Sequence, residues 1–493
     1  MTRTALAAVT CTLLAACGTT IGSTTLATGH GGLLASTDGR NELGTTSASV
    51  GDSASQGSGD PATAAKPGTP RDAQLAPSGS DGPAASSLKL GRGIDATSIN
   101  LGVTYAAGAD SAFAALGVNV SIPDGHAYSE ALINYINAHG GAAGRKIHPI
   151  YFKYTPAADA SSSAAQDQSA CAAFTQDHRV FAVTGSRLDS SGADDPTTSC
   201  LSKFDVLRLG GGGDEQIWRT FHHYQYDAAA VNETRVFRAM IATIVRQRLL
   251  HRDSKVGIVH WDSPAMARAT EAGLVAPLKA LGVPYLSVAL KGDASYFSAM
   301  PNVVLKFRTE GVTNVLFGAP GGGAANQFMI QADNQHWKPK YGYGLSSLDS
   351  LTVLESASSK TQLSGSLGIG YIPFLDNSRG QAPNSAQQRC EKIFRDAGLA
   401  PSSNSDRWAQ YTSCDTMALL VRGLNDASKS PDGLTSTGFE KAVSAVSSQF
   451  IPLSTFATRL EAGEHDGGAG YRTVHYSSAC SCFEYFGPAV QRF

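Results

Sequence analysis

Hydrophobic and polar positions follow two periods along the chain between residues 98 and 329. Short runs rich in β-branched and aromatic residues alternate with stretches in which apolar residues recur at helical spacing. The predicted strands are 98–105, 147–154, 180–185, 206–211, 255–260, 284–290 and 314–319. Helices are predicted between them, including a long one at about 227–250. Strands that alternate with helices predict an α/β fold with parallel sheets covered by helices on both faces.

The stretch from Ala131 to Phe152 shows how one predicted helix passes into a strand. Apolar side chains recur there at helical spacing, at Leu132, Tyr135 and Ile136, with Tyr128 one turn earlier. His139 forms the last turn, and Gly140 after it can adopt the left-handed conformation that commonly ends a helix. This unit predicts framework of an α/β layer and identifies no ligand.

Residues 18–96 differ in composition from the rest of the chain. They are mostly Gly, Ser, Thr, Ala and Pro, and no aromatic residue precedes Tyr105. Such a segment cannot bury enough apolar surface to offset the entropy lost on ordering. We expect a disordered, flexible tether before a folded body at 97–493. No later window is long and apolar enough to be a transmembrane helix.

The first 17 residues have the pattern of an export signal. Arg3 supplies a positive charge, and an apolar stretch at 5–15 is too short to span a bilayer. Leu14-Ala15-Ala16-Cys17 resembles the bacterial lipobox, in which the cysteine is lipidated and becomes the mature N-terminus. Several acyl chains, palmitate among them, would anchor the chain stably at the extracytoplasmic face of the cell membrane. The alternative is an ordinary secretory signal cleaved near Ala16.

Size and charge limit the possible architectures and partners. The roughly 400 residues after the tether exceed what one hydrophobic core organises, so two lobes are expected. The formal net charge of -2 gives no indication of a nucleic-acid or anionic-membrane partner. We expect a monomer whose contact with the membrane is the N-terminal lipid.

Cysteine usage predicts disulfides. Of 8 cysteines, Cys11 leaves with the signal and Cys17 carries lipid. An even set remains in an oxidising compartment: Cys171, Cys200, Cys390, Cys414, Cys480 and Cys482. Many pairings are possible, and proximity favours Cys171 with Cys200 and Cys390 with Cys414, which leaves the last two together. Free buried thiols are the alternative.

Several motifs of the chain resemble those of a known protein family. The stretch "ALINYINAHGGAAGRKIHPIYF" resembles the signature of type I periplasmic binding proteins, in the branched-chain amino acid receptor (Leu/Ile/Val-binding) group. Further landmarks of that group follow in order: "VTGS", "WRTF", "SKVGIVHWDSP" and "FSAMPNVVLKFRTEGVTNVLFGAPGGG". The resemblance covers about residues 98–374 and, more loosely, the C-terminal part.

The resemblance implies an architecture and a function. The architecture is two Rossmann-like lobes joined by a three-stranded hinge, with lobe 1 at about 97–219 and 374–428 and lobe 2 at about 220–373 and 429–493. The chain would cross between lobes near 219–226, 368–374 and 423–435. The function is that of a solute-binding lipoprotein that closes on a small molecule and docks on an ABC permease. The alternative is a surface ligand sensor or structural lipoprotein that keeps the fold without transport.

The resemblance also suggests residues that bind the ligand. In lobe 1 these follow the third and fourth strands: Thr184, Gly185, Ser186, Gly211, Gly212 and Gly213. The positions at which relatives that bind free amino acids hold an α-ammonium group lack the expected tyrosines and acid. They are occupied by Ala265, Pro320, Gly321, Ser346 and Ser347, with Asp349 the nearest carboxylate. We therefore expect a neutral or differently charged ligand, with contacts from Tyr105 and Trp261. The alternative is that Asp349 binds the ligand by moving into the ammonium position after a small loop change.

Other candidate chemistry is weaker. The chain has no G-x-S-x-G or H-E-x-x-H motif, so no enzyme is predicted. The glycine run at 210–213 lacks the Lys-Ser/Thr pair of a phosphate loop, so no cofactor is predicted; it forms either the cleft rim or a flexible turn. His222 and His223 have no nearby ligand at metal-binding spacing, so no metal is predicted. The aromatic residues at 218–226 favour hinge packing, while His260 and Trp261 suit a site or a core equally.

Overall fold

The computed structural model describes residues 88–107, 124–155, 160–185, 196–292, 295–319, 322–345, 354–355, 360–377, 380–446, 449–487 and 489–493. Cys17, the signal and the tether up to residue 87 lie outside these residues. Within the described parts of the chain, no helix combines the length and apolar character needed to cross a membrane.

The first sheet has five parallel strands. They are β1 (Ser98–Ala106), β2 (Lys146–Tyr154), β3 (Ala182–Gly185), β4 (Leu207–Leu209) and β5 (Gln225–Tyr226), in the order β2-β1-β3-β4-β5. Alternate side chains of β1 are fully buried, at Ile99, Leu101 and Val103, because a central strand is covered by helices. The strand order shows that the chain goes from β1 to its neighbour β2 and then continues with β3 on the other side of β1.

Among the described residues, four helices belong to this part of the chain. They are α1 (Gly125–Ala138), α2 (Ala160–Ala172) with a π-helical turn at Ala173–Asp177, α3 (Pro196–Ser202) and α4 (Glu215–Thr220). Helix α1 ends as predicted, with Gly140 and Gly141 at φ 98° and 76°. A Cβ on Gly141 would lie 1.9 Å from the carbonyl oxygen of Arg145, so only glycine fits the turn toward β2.

The second sheet has eight strands. Five are parallel: β6 (Val256–Trp261), β7 (Tyr285–Leu290), β8 (Asn314–Gly318), β9 (Lys340–Leu345) and β10 (Leu367–Gly370). Three antiparallel strands complete it: β11 (Gly470–Ser477), β12 (Cys482–Tyr485) and β13 (Gln491–Arg492). The order is β12-β11-β10-β9-β8-β6-β7, with β13 on β11. Its parallel strands repeat the order of the first sheet.

Helices of the second lobe cover this sheet. They are α5 (Glu233–Arg246), α6 (Pro264–Thr270) with a π-helical turn at Glu271–Val275, α7 (Ala276–Ala280), α8 (Ser295–Thr309), α9 (Gly323–Asn334), α10 (Lys360–Leu363) and α11 (Phe374–Asn377). Helix α5 is shorter than predicted at its start. Asp227 Oδ1 accepts hydrogen bonds from the backbone N–H groups of Ala229 and Ala230, and these bonds form a turn. The helix begins after this turn, where Asn232 Oδ1 caps it by accepting from the backbone N–H of Arg235.

Three later helices return to the first lobe: α12 (Ser385–Asp396), α13 (Asn404–Ala427) and α14 (Ser436–Val446). Phe439 of α14 meets Phe181 and Tyr226 edge to face, so α14 packs on the first core. The predicted crossing at 423–435 and the assignment of all residues after 428 to lobe 2 are therefore wrong.

The chain passes between the sheets at 227–232, 371–384 and 454–469. The first passage follows β5, so 220–226 belongs to lobe 1.

The folded body begins earlier than residue 97. The backbone N–H of Gly91 donates to the carbonyl oxygen of Leu434 at 2.7 Å, and Ile94 is buried in the first core. The predicted end of the tether at residue 96 is therefore wrong. The apolar residues Leu88 and Ile94, in an otherwise small and polar segment, pack on the first core and were the signal in the sequence for this contact.

The described residues form three disulfides, and they are the pairs that proximity in the sequence favours. Cys171–Cys200 joins α2 to α3, and Cys390–Cys414 joins α12 to α13. Cys480–Cys482 closes the turn between β11 and β12. The first two therefore tie neighbouring helices of lobe 1 together.

Candidate functional site

Each sheet has one point at which the chain reverses its direction of growth across the sheet. In the first sheet this switch point lies between β1 and β3, and in the second between β6 and β8. Open parallel α/β sheets bind ligands outside the carboxyl ends of the strands at such a point. These ends are marked by Tyr105 and Gly185 in lobe 1 and by Trp261 and Gly318 in lobe 2. The two switch points define the candidate ligand cleft.

Close backbone approach shapes the switch point of lobe 1. The buried Thr104 hydroxyl donates to the carbonyl oxygen of Thr184 at 3.1 Å. Gly185 has φ 102°, and a Cβ on it would lie 1.9 Å from the carbonyl oxygen of Thr104. Arg208 Nη2 donates to the Gly185 carbonyl at 3.2 Å. Thr184 and Gly185 thus lie where the sequence places them, while Ser186 is outside the described residues.

Tyr105 belongs to an aromatic cluster at the same edge. Its half-buried ring meets His126 at 4.8 Å and Tyr151 at 6.3 Å between centroids, both edge to face. The Tyr151 hydroxyl is buried with no hydrogen-bond partner among the described residues, and burial raises its pKa. The cluster gives the edge of lobe 1 an aromatic surface. A contact between Tyr105 and the ligand stays a prediction.

The glycine run lies in a segment that connects the two lobes, which we call the bridging segment (residues 210–220). The segment leaves the first sheet after β4 and returns to it at β5, yet Ile217 packs on the second core. Gly211 and Gly213 have φ 98° and 138°. The Gly212 carbonyl accepts from Gln225 Nε2 at 3.1 Å, and the Gly213 carbonyl accepts from the N–H of Glu233 at 3.2 Å. The glycines therefore lie at the lobe junction.

An ion pair fixes the bridging segment to lobe 2. Arg268 of α6 donates from Nε and Nη2 to the two carboxylate oxygens of Asp214, at 2.7 and 3.0 Å. The Asp214 side chain is 3% exposed, and it also caps α4 by accepting from the N–H of Ile217 at 3.2 Å. Sequence analysis did not identify this pair, because its members are 54 residues apart.

At the switch point of lobe 2, the sequence left a site and a core role equally open for Trp261. Trp261 is 2% exposed and meets Tyr296 edge to face at 5.3 Å, so it is a core side chain. Burial raises the pKa of Tyr296 to about 12. His260 is partly buried, and Asp262, directly after β6, is exposed. Ala265 is buried, and the other predicted positions lie outside the described residues: Pro320, Gly321, Ser346, Ser347 and Asp349.

Solved structures share this arrangement. A branched-chain amino acid ABC transporter protein from Thermus thermophilus with bound valine matches with a TM-score of 0.58 and 14% identity, over 82% of this chain and 97% of that one. A fatty acid ABC transporter substrate-binding protein from Thermomonospora curvata matches with a TM-score of 0.56 and 14% identity, over 82% of this chain and 95% of that one. A leucine-binding protein from Thermotoga maritima matches with a TM-score of 0.56 and 9% identity, over 80% of this chain and 98% of that one. The chain has the type I periplasmic binding protein fold. No protein-family model and no curated protein matches it.

Within this fold, the three passages between the lobes lie side by side. Asp466 accepts hydrogen bonds from the backbone N–H and Nδ2 of Asn232, at 2.8 and 2.9 Å, and from Arg235 Nη2 at 2.6 Å. The Tyr371 carbonyl accepts from the N–H of Phe456 at 3.1 Å and from Thr455 Oγ1 at 2.9 Å. Burial raises the pKa of Asp466, although Arg235 and Asn232 oppose that shift. The passages thus share a buried polar network.

A second cluster of polar groups lies beside the first passage. Nδ1 of His223 is 2.7 Å from Oε2 of Glu440, and the potential ligand atoms of His222, His223 and Glu440 all lie within 4.8 Å of one another. Sequence analysis missed this cluster, because Glu440 is 217 residues away from His223. His223 is exposed, whereas His222 is partly buried.

Proposed function

We propose that the chain is an extracytoplasmic solute-binding protein that closes two lobes on a small molecule and delivers it to an ABC permease. The observation that carries the proposal is the repeated strand order, which gives each lobe a switch point at the carboxyl ends of its strands. The names of the structural neighbours, which include substrate-binding proteins of ABC transporters, support a binding role and not catalysis.

Closure is the proposed mechanism. The three adjacent passages form the hinge, and the bridging segment follows the movement of lobe 2 through the Asp214–Arg268 pair. Contacts from both lobes are available to a ligand only in the closed form, so binding shifts the population toward it. The permease then recognises the closed form.

For the ligand, we propose a neutral molecule or one charged differently from a free amino acid. Ala265 is buried and offers no partner for an ammonium group, and Tyr105 and Tyr151 supply an aromatic surface in lobe 1. A buried ammonium without a partner would cost several kcal/mol. The fold itself does not select the ligand, since one neighbour holds valine and another is named for fatty acids.

Native mass spectrometry tests both parts. The full-length chain is purified without denaturation, and the small molecules released on unfolding are identified. The compound and leucine, isoleucine and valine are then titrated calorimetrically. We expect affinity for a compound without an α-ammonium group and no heat with the three amino acids. Micromolar leucine binding that Asp262→Asn or Asp349→Asn abolishes would overturn the ligand class. A bound compound whose uptake is unchanged when the chain is deleted would favour the sensor.

We further propose that lipid on Cys17 anchors the protein. The described part of the body starts at residue 88, far along the sequence from Cys17, so we expect loss of the lipid to leave the folded core untouched. Cys17→Ser should release a protein with an unchanged circular dichroism spectrum into the soluble fraction. Retention on membranes after a carbonate wash would contradict the anchor.

A further inference from the structure

The cluster of His222, His223 and Glu440 has the composition of a transition-metal site. The two histidines occupy the turn between α4 and β5, and Glu440 comes from α14. Imidazole nitrogens with one carboxylate are a common ligand set for zinc and related divalent ions. The fold brings these groups together from distant parts of the sequence, so the set is a product of the tertiary structure.

The geometry suits a single ion. All three potential ligand atoms lie within 4.8 Å of one another. Ligands about 2.1 Å from a tetrahedral zinc ion are separated by roughly 3.4 Å, so small rotations of the side chains suffice. Three protein ligands leave a fourth position for water.

The hydrogen bond made by His222 sets which nitrogen is free. Nδ1 of His222 lies 2.8 Å from the carbonyl oxygen of Arg219, which can only accept. Nδ1 therefore carries the proton, and Nε2 keeps the lone pair that a metal needs. A backbone carbonyl that holds the second ring nitrogen is a usual supporting contact of metal-bound histidine.

The electrostatic surroundings favour a cation. The Glu440 side chain is 17% exposed, and within the described residues its ion-pair partner is His223, with no lysine or arginine within 4.0 Å. His223 is 58% exposed, which gives an ion a path from solvent. The ring of His222 packs beside that of His223, with 3.7 Å between the two centroids. We propose that these three residues bind one zinc-like divalent ion, which joins the turn before β5 to α14.

Zinc uptake tests this proposal. The full-length chain is purified in detergent through a tag without histidine, stripped with a chelator, and titrated with zinc chloride; magnesium chloride serves as the comparison ion. We expect one equivalent of zinc and no magnesium, with a rise in the melting temperature. His223→Ala and Glu440→Gln should each remove that equivalent, while His251→Ala, at an exposed histidine of lobe 2, should keep it. Absence of zinc uptake by the unmodified chain, or uptake that survives either substitution in the cluster, overturns the proposal.

Discussion

Asp214 and Arg268 form a two-point ion pair, with Nε and Nη2 of the arginine 2.7 and 3.0 Å from the carboxylate oxygens. Asp214 belongs to the bridging segment, whose ends lie in the first sheet, and Arg268 belongs to a helix of the second lobe. The pair thus connects the lobes next to the candidate cleft. A movement of lobe 2 against lobe 1 therefore either moves the bridging segment with lobe 2 or breaks the pair.

We expect Arg268→Met to lower the free energy of unfolding by about 1–2 kcal/mol. The substitution leaves the buried Asp214 carboxylate without its charge partner, but Arg268 is 39% exposed, so solvent reduces the effect. Affinity for the native ligand should fall as well, because the bridging segment is less firmly attached. Urea unfolding and calorimetric titration measure the two quantities.

Arg238→Met is the control for Arg268→Met. Arg238 pairs with Glu215 on the surface at 3.3 Å, so its loss should change stability by less than about 0.5 kcal/mol. Equal effects of the two substitutions would show that the buried Asp214 is not the reason for the loss.

Gly185→Ala should destabilise lobe 1 by more than about 2 kcal/mol. The new Cβ would lie 1.9 Å from the Thr104 carbonyl oxygen, and φ is 102°, so both the space and the backbone conformation oppose a side chain. Gly311→Ala is the matched control: φ is 71° there, and nothing lies within 4 Å of the new Cβ. The control should cost about 1 kcal/mol in the same unfolding experiment. If it proves as damaging, conformational strain and not the contact with β1 determines the loss.

Asp466→Asn should lower the free energy of unfolding by about 2–3 kcal/mol. The buried Oδ2 of this carboxylate accepts from Arg235 and twice from Asn232. An amide oxygen can still accept there, but the negative charge that pairs with Arg235 is lost. Combined with Arg235→Met, it should show a coupling of about 1 kcal/mol or more in a double-mutant cycle. Asp396→Asn, in an exposed pair with Lys392, should change stability by less than about 0.5 kcal/mol. Additive effects of the first two substitutions would mean that the network does not act as a unit.

Stability should depend on pH through Asp415. Burial raises its pKa to about 7 in the folded protein, against an ordinary 3.8, although Leu453 and Ser454 donate hydrogen bonds to it. The folded state therefore binds the proton more tightly than the unfolded state. Between pH about 4 and about 7 this contribution to stability falls as pH rises, and above that range it is lost. Asp415→Asn should show a smaller fall in unfolding free energy between pH 5 and pH 8. An identical slope in both proteins would contradict the raised pKa.

The sequence by itself determined the local elements. Strands 98–105, 255–260 and 314–319 lie within one residue of β1, β6 and β8, because hydrophobic periodicity depends on neighbours a few residues apart. Gly140 and Gly141 end α1 for the same local reason. The fold class followed from the alternation of these elements and from the motifs that resemble the binding-protein family.

Tertiary structure alone decided which elements share a core and which side chains meet. Helix α14 lies in lobe 1 because Phe439 packs on Phe181 and Tyr226, a contact that no local pattern contains. Trp261 likewise lies in the core because it packs on Tyr296, a residue 35 positions away in the sequence. Asp214 meets Arg268 across 54 residues, and His223 meets Glu440 across 217. Such pairs depend on the strand order and on where the chain crosses between lobes. Both are set by the burial of whole apolar faces of helices and sheets, and not by the residues next to each partner in the sequence.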